Sequence, residues 1–560
     1  MSSRSFHCSL MSSTLLQTAL FLCTAYVLTA LLRRIIGRSV LNNIPGPPSK
    51  SFLTGNLLQY HNPNGWDFQQ DIEENFGGVV RLRGLLGSNI LFVFDPKALH
   101  SVVIKDQEIY EESPIFISMN LLMFGKSILS TVGDDHRKHR KMIMPAFSTA
   151  NLRGMMPHFY DVAERVRDGL IAPQVAKGAR ELEMASILTR TSLELIGRSG
   201  IGYSFDPLVL NAPINEYAES IKNFMPTLGK ISLLLPFVPF AIKIGPPSFR
   251  RFMLKMIPSR RIQRLRDMVE LMDRTARDIL NAKKLALQRG DFKSQESMET
   301  GTDLMSILLR SNMTADAASK LTDEELVGQT STIIFAAMDT TSSALARLTH
   351  VLAQNPSVQE KLRAEIQEAT VDTENGHLDH DTLVELPYLD AVIRETLRLY
   401  PPASPSMMRQ TIAPTTLPLS APMQTTDGKI ITAIPVPKGT PVHIAIAAAN
   451  HSREIWGPDA REFKPERWLN GTARASSGKE DMKLPGVYSG TMTFIGGGRS
   501  CVGFKFSQLE MKVVISVLLR SFKFSLSDKD VKFMMLGPVI GPTVGDGGEV
   551  LMPMIVERLK

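Results

Sequence analysis

The sequence predicts a mainly α-helical protein with small β-sheets, preceded by one N-terminal transmembrane helix. Three observations carry that expectation. Leu10 to Leu32 is an uncharged apolar run of about 23 residues, the length that spans a bilayer as a helix. Thr322-Asp323-Glu324-Glu325 has the form of a capping box and opens a helical stretch that continues to Asn355, where Pro356 stops it. Phe504, Phe506, Leu509, Val513, Val514, Val517 and Leu518 then recur at helical spacing behind a glycine-rich loop.

Composition sets the bounds. The chain has 560 residues, 43% of them hydrophobic, enough for a large core. Its three cysteines, Cys8, Cys23 and Cys501, are too few and too scattered for a disulfide framework, which fits a reducing compartment. The formal net charge is +7. No nucleic-acid-binding module is recognisable, so anionic lipid and an acidic protein partner outrank nucleic acid.

The elements follow in order. Residues 1–9 form a short N-terminus and 10–32 the membrane span; Arg33, Arg34 and Arg38 trail it and place the body of the chain in the cytosol. A cleaved signal or a buried helix are the competing readings of the span. Residues 33–50 form a basic, proline-rich linker ending in Ile44-Pro45-Gly46-Pro47-Pro48, and the main domain is 51–560. Val79–Arg83 and Ile90–Phe94 read as a short β pair. Ser113 to Thr131 is apolar, and Asp134 to Lys141 is a dense basic helix whose simplest reading is a solvated face. Tyr203 to Gly301 is helical with interruptions. Within it, Ile231 to Phe240 is apolar and twice broken by proline, so it either dips into the bilayer surface, roofs a pocket or is buried in the core. Ala336-Ala337-Met338-Asp339-Thr340-Thr341 puts an acid and a hydroxyl in the middle of the long helix. Glu395 and Arg398 share one helical face, and Phe463-Lys464-Pro465-Glu466-Arg467-Trp468 follows further on.

The glycine-rich loop is Phe494-Ile495-Gly496-Gly497-Gly498-Arg499-Ser500-Cys501-Val502-Gly503. A lone cysteine is usually a small buried hydrophobe. At a helix N-terminus, though, the dipole and unpaired N–H groups favour a thiolate, and Arg499 is available to an anionic group nearby.

This loop resembles the haem-binding loop of the cytochrome P-450 family, Phe-x-x-Gly-x-Arg-x-Cys-x-Gly, at Phe494, Gly497, Arg499, Cys501 and Gly503. The resemblance implies that Cys501 is the axial thiolate ligand of a haem iron. It implies that Asp339 and Thr340 form the catalytic pair that relays protons to bound oxygen, with Ala337 replacing the family's usual glycine. Arg140 matches the arginine of the family's Trp-x-x-x-Arg helix, which binds a haem propionate, while His136 stands at the tryptophan position; Arg409 matches another propionate arginine. Glu395, Arg398 and Arg467 match a buried structural network, with Trp468 in place of the commoner phenylalanine.

The implied protein is a haem-thiolate monooxygenase in the endoplasmic reticulum membrane, single-pass, with its catalytic domain cytosolic. It would insert one atom of O2 into a neutral lipophilic substrate. Electrons would come from NADPH through a separate NADPH-cytochrome P-450 reductase, with cytochrome b5 as a further partner. The texture of the chain, including Met144-Pro145-Ala146-Phe147, is similar to that of fungal microsomal members, which points first to a terpenoid and second to a fatty acid or xenobiotic. A haem-thiolate isomerase or dehydratase is opposed by the intact Asp339-Thr340 pair; a non-catalytic haem protein is the other alternative.

Overall fold

The long helix, Asp323–Gln354, is the axis on which the other elements are arranged, in a computed structural model that describes residues 39–213, 215–229, 231–289, 303–469 and 483–559. Its start is the capping box read from the sequence: the Thr322 hydroxyl accepts from the Glu325 N–H, and Glu325 accepts from the Thr322 N–H at 2.9 Å. Burial alone would raise the Glu325 carboxyl. The Thr322 N–H, Lys126 and Lys138 outweigh it and hold the group at about 2. The helix is buried on most of its surface and packs against helices Met184–Leu195, Arg260–Arg289 and Phe504–Ser521.

Among the described residues, strands form four small sheets. The largest has five strands, in the order Val79–Arg83, Asn89–Val93, Pro441–Ile444, Met407–Thr411, Tyr110–Glu112. The first pair confirms the β pair expected around Gly84 to Gly87, in the register Val79–Val93. At the opposite edge, Glu112 lies directly across from Arg409. This sheet has its own apolar core, separate from the larger helical one.

A buried ion-pair network joins the helix Pro387–Leu399 to the segment after it. Glu395 and Arg398 are both 0% exposed, and Arg398 donates to the two Glu395 oxygens at 2.9 and 2.8 Å. Arg467 Nε reaches Glu395 at 3.3 Å. The Trp468 indole N–H donates to Glu395 at 2.9 Å, a bond that phenylalanine at that position lacks. The network is structural and stands where the sequence placed it.

The segment Ile231 to Phe240 is resolved differently from one of its sequence readings. It forms a 3₁₀ turn, Ser232–Phe237, and a single helical turn, Val238–Ala241. Ile231 packs against the large core, but Phe237 is 66% and Phe240 69% exposed, so the C-terminal half of the segment is not buried in the core. The physical reason is Pro236 and Pro239, which break the backbone ladder that a buried helix needs. The membrane span expected at Leu10 to Leu32 lies outside the described residues. Among the described residues, no single helix is long and apolar enough to cross a membrane.

Candidate functional site

The cysteine loop is shaped by glycine. A Cβ on Gly496 would sit 1.7 Å from the Pro485 carbonyl oxygen, and one on Gly497 the same distance from that of Val103. Gly497 also has φ +71°, which other residues resist. The loop closes through Cys501 N–H to the Phe494 carbonyl at 3.1 Å, and the helix Phe504–Ser521 begins three residues later. Phe494 packs edge-on to Tyr488 and tilts against Phe504, which fixes the loop to the core.

Cys501 keeps accessible surface, yet the protein packed around it is the largest influence on its thiol and pushes it up. The Gly503 N–H and Arg140 pull it down without cancelling that effect. The thiolate expected from the helix terminus therefore needs a further positive charge, and a coordinated metal ion is what deprotonates a thiol outright.

Four basic side chains gather near this loop. Arg140, on the helix Gly133–Ile143, donates to the Ser500 carbonyl at 2.7 Å and to its hydroxyl at 2.8 Å, which ties that helix to the residue beside Cys501. Arg499 donates to Glu111 at 2.7 Å and to the Thr131 carbonyl at 3.0 Å. Arg409 is buried and donates to Glu112 at 2.7 Å. Burial pushes the Glu112 carboxyl up, and Arg409 and Arg499 draw it back. His136 is also buried; burial first, then Arg499 and Arg140, bring it to about 3, so it is a neutral imidazole at physiological pH. The sequence singled out all four. It missed Glu111 and Glu112, which only the strand register and chain crossing bring to the arginines.

The acid and hydroxyl expected from the sequence lie in the middle of the long helix. Ala336 is exposed inside an otherwise buried protein, and Ala337 beside it is half-buried. One turn on, the Thr340 hydroxyl donates back to the Ala336 carbonyl at 2.7 Å. Asp339 points elsewhere, into a cavity of about 60 Å³ that Lys222, Thr189 and Ser342 also line. Burial pushes its carboxyl up to about 7. Sequence inspection also passed over Glu510, on the helix after Cys501. It is 0% exposed, burial pushes it well above the carboxylate range, and Thr341 is the one neighbour that counters this. Its place in a stretch otherwise rich in Val, Ile, Leu and Met was the available signal.

An accessible thiol just ahead of a helix N-terminus, small residues bared in the middle of the long helix, and guanidinium groups clustered around the cysteine loop are what a slot for an anionic, metal-bearing group requires. They fit a haem. The comparisons with known proteins agree. The chain belongs to the cytochrome P450 family, whose model matches residues 45–544. It is 48% identical over 535 residues to cytochrome P450 monooxygenase 91 of Postia placenta, covering 96% of this chain and 97% of that one. Cytochrome P450 monooxygenase 81 of the same fungus is 44% identical over 535 residues, covering 95% and 96%. A ganoderic acid synthetase of Ganoderma lucidum is 40% identical over 523 residues, covering 93% and 94%. The protein is accordingly a monooxygenase with a haem iron cofactor, and it receives electrons from a reductase and acts on a lipophilic substrate.

Proposed function

We propose that the protein is a membrane-anchored haem-thiolate monooxygenase that hydroxylates or epoxidises a neutral terpenoid in specialised-metabolite biosynthesis. Cys501 Sγ would be the thiolate that holds the haem iron, and Arg140, Arg409, Arg499 and neutral His136 would hold its propionates, while Phe494 and Gly497 shape the loop. The observation that carries this reading is the accessible Cys501 thiol with Arg140 bonded to the adjacent Ser500. When bound, haem supplies the activation of O2 by a thiolate-ligated iron.

The chain's own residues manage the protons. Asp339, held near 7 by burial, exchanges a proton at neutral pH and faces a small, mostly apolar cavity that Lys222 also lines. Thr340 is the next residue on the same helix. Its hydroxyl is parked on the Ala336 carbonyl and passes protons inward when it swings off.

The anchor is residues 10–32, uncleaved, in the endoplasmic reticulum membrane with residues 51–560 cytosolic. The exposed Phe237 and Phe240 add a second contact with the bilayer surface. NADPH-cytochrome P-450 reductase is the electron donor, and cytochrome b5 is a further partner. The terpenoid assignment is supported by the ganoderic acid synthetase relative and by the uncharged stretch from Pro114 to Phe124, a helix of apolar residues. The test is expression in yeast with a reductase, feeding with a panel of terpenes, fatty acids and xenobiotics, and extraction of oxidised products. NADPH-dependent products confined to the terpenes are expected; oxidation of fatty acids alone would overturn the assignment.

A further inference from the structure

Two adjacent carboxylates stand behind the arginines of the slot. Glu111 and Glu112 end the strand Tyr110–Glu112, at the edge of the five-stranded sheet. Glu112 is the register partner of Arg409 on the neighbouring antiparallel strand, so the sheet itself brings the two side chains together. Their side chains are 6% and 3% exposed and meet at 2.7 Å. Glu111 turns the other way and meets Arg499 at 2.7 Å, with side chains 19% and 16% exposed.

Each arginine gives only part of its fork to protein acceptors. Arg409 uses Nη1, for Glu112 and the Met408 carbonyl. Arg499 uses Nη2, for Glu111 and the Thr131 carbonyl. Their remaining nitrogens have no acceptor among the described residues, and none is a sealed, fully buried atom. Arg140 has no acidic side chain on it among the described residues. Two of the three guanidinium groups are thus already counterbalanced, with donors to spare.

Resting on the assignment of this slot to haem, we propose that Glu111 and Glu112 are positioning residues that hold Arg499 and Arg409 toward the propionates and act as charge counterweights lowering the reduction potential of the iron. Reduction adds one negative charge to the cofactor. Fixed carboxylates behind the propionate arginines offset the cations that would otherwise favour that electron. Glu112 acts more strongly than Glu111, because it is buried and less screened by water and salt. Glu112 also immediately precedes the cap of the helix Pro114–Phe124, so the strand fixing Arg409 leads directly into that helix.

The test is a spectroelectrochemical titration of the haem-loaded full-length chain in detergent, comparing wild type with Glu111→Gln, Glu112→Gln, the double variant and Glu112→Asp. The expected result is a positive shift for each glutamine variant, larger for Glu112→Gln and additive in the double, with Glu112→Asp close to wild type. A change that merely loosened the packing would not order the variants by charge. An unchanged or more negative potential in the glutamine variants would overturn the proposal. If Glu112→Gln does not fold, Glu111→Gln, whose side chain reaches solvent, decides by the same sign. Failure of the haem assignment is separately visible, as loss of the thiolate-type carbon monoxide spectrum in the wild type.

Discussion

Replacing Arg398 with methionine tests whether the buried network holds the fold. The side chain is fully buried and makes four short bonds: two to Glu395 at 2.9 and 2.8 Å, one to the Asn450 carbonyl at 2.7 Å and one to the Ala460 carbonyl at 2.6 Å. Methionine fills much of the volume and satisfies none of them. Removing one partner of a buried ion pair costs about 3–5 kcal/mol. Each carbonyl left without a donor adds about 1–3 kcal/mol. Glu395 is not wholly stranded, because Arg467, the Lys464 N–H and Trp468 still donate to it at 3.3, 3.2 and 2.9 Å. The lower ends of those ranges therefore apply, giving a loss of about 5 kcal/mol. Domains are typically stable by only about 5–15 kcal/mol, so the variant sits at the edge of folding. Urea denaturation followed by circular dichroism measures this directly. Arg398→Lys, which keeps the charge but not the fork, should fall between wild type and Arg398→Met. An Arg398→Met protein with an unchanged midpoint and slope would refute the structural role of the network.

Three further outcomes are expected. Thr340→Ala deletes the hydroxyl that bonds the Ala336 carbonyl; haem and substrate binding should persist while product formed per NADPH falls sharply, within the roughly 10²–10⁴-fold range of general acid–base groups, and an unchanged ratio would remove Thr340 from the mechanism. Asp339 is raised to about 7 in the fold, above its unfolded value of about 3.9, so it contributes stability that is complete below about pH 4 and is lost as pH rises through about 7. Asp339→Asn should flatten that part of the stability profile, read from urea midpoints across the window; equal pH dependence in both proteins would contradict the burial of this carboxyl. Removing residues 1–38 should release much of the protein from membranes on a high-salt carbonate wash, and adding Phe237→Asp with Phe240→Asp should release the rest. A truncated chain that stays fully bound despite both substitutions would contradict both attachments.

The local features of this fold were legible because their causes are local. The Thr322–Glu325 box fixes one end of the long helix and Pro356 the other, and the helix runs from Asp323 to Gln354. The glycines around Cys501 announce a backbone that other residues cannot follow, and Val103 and Pro485 are the atoms that make it so. The partners of the arginines were not legible. Arg409 and Glu112 are 297 residues apart, and Arg499 and Glu111 388, so their meeting depends on strand order and chain crossing rather than on any spacing. Trp468 looked like a conservative departure from phenylalanine, yet its N–H gives Glu395 a further donor. The thiolate expected of Cys501 from its helix terminus is opposed by burial, which no sequence window reports.

Whether Cys501 holds the haem iron is read from the absorption spectrum of the reduced carbon monoxide complex. The wild type should show the red-shifted band of a thiolate-ligated haem, and Cys501→Ser should lose that band together with monooxygenase activity. A Cys501→Ser protein that retains both would rule out Cys501 as the iron ligand.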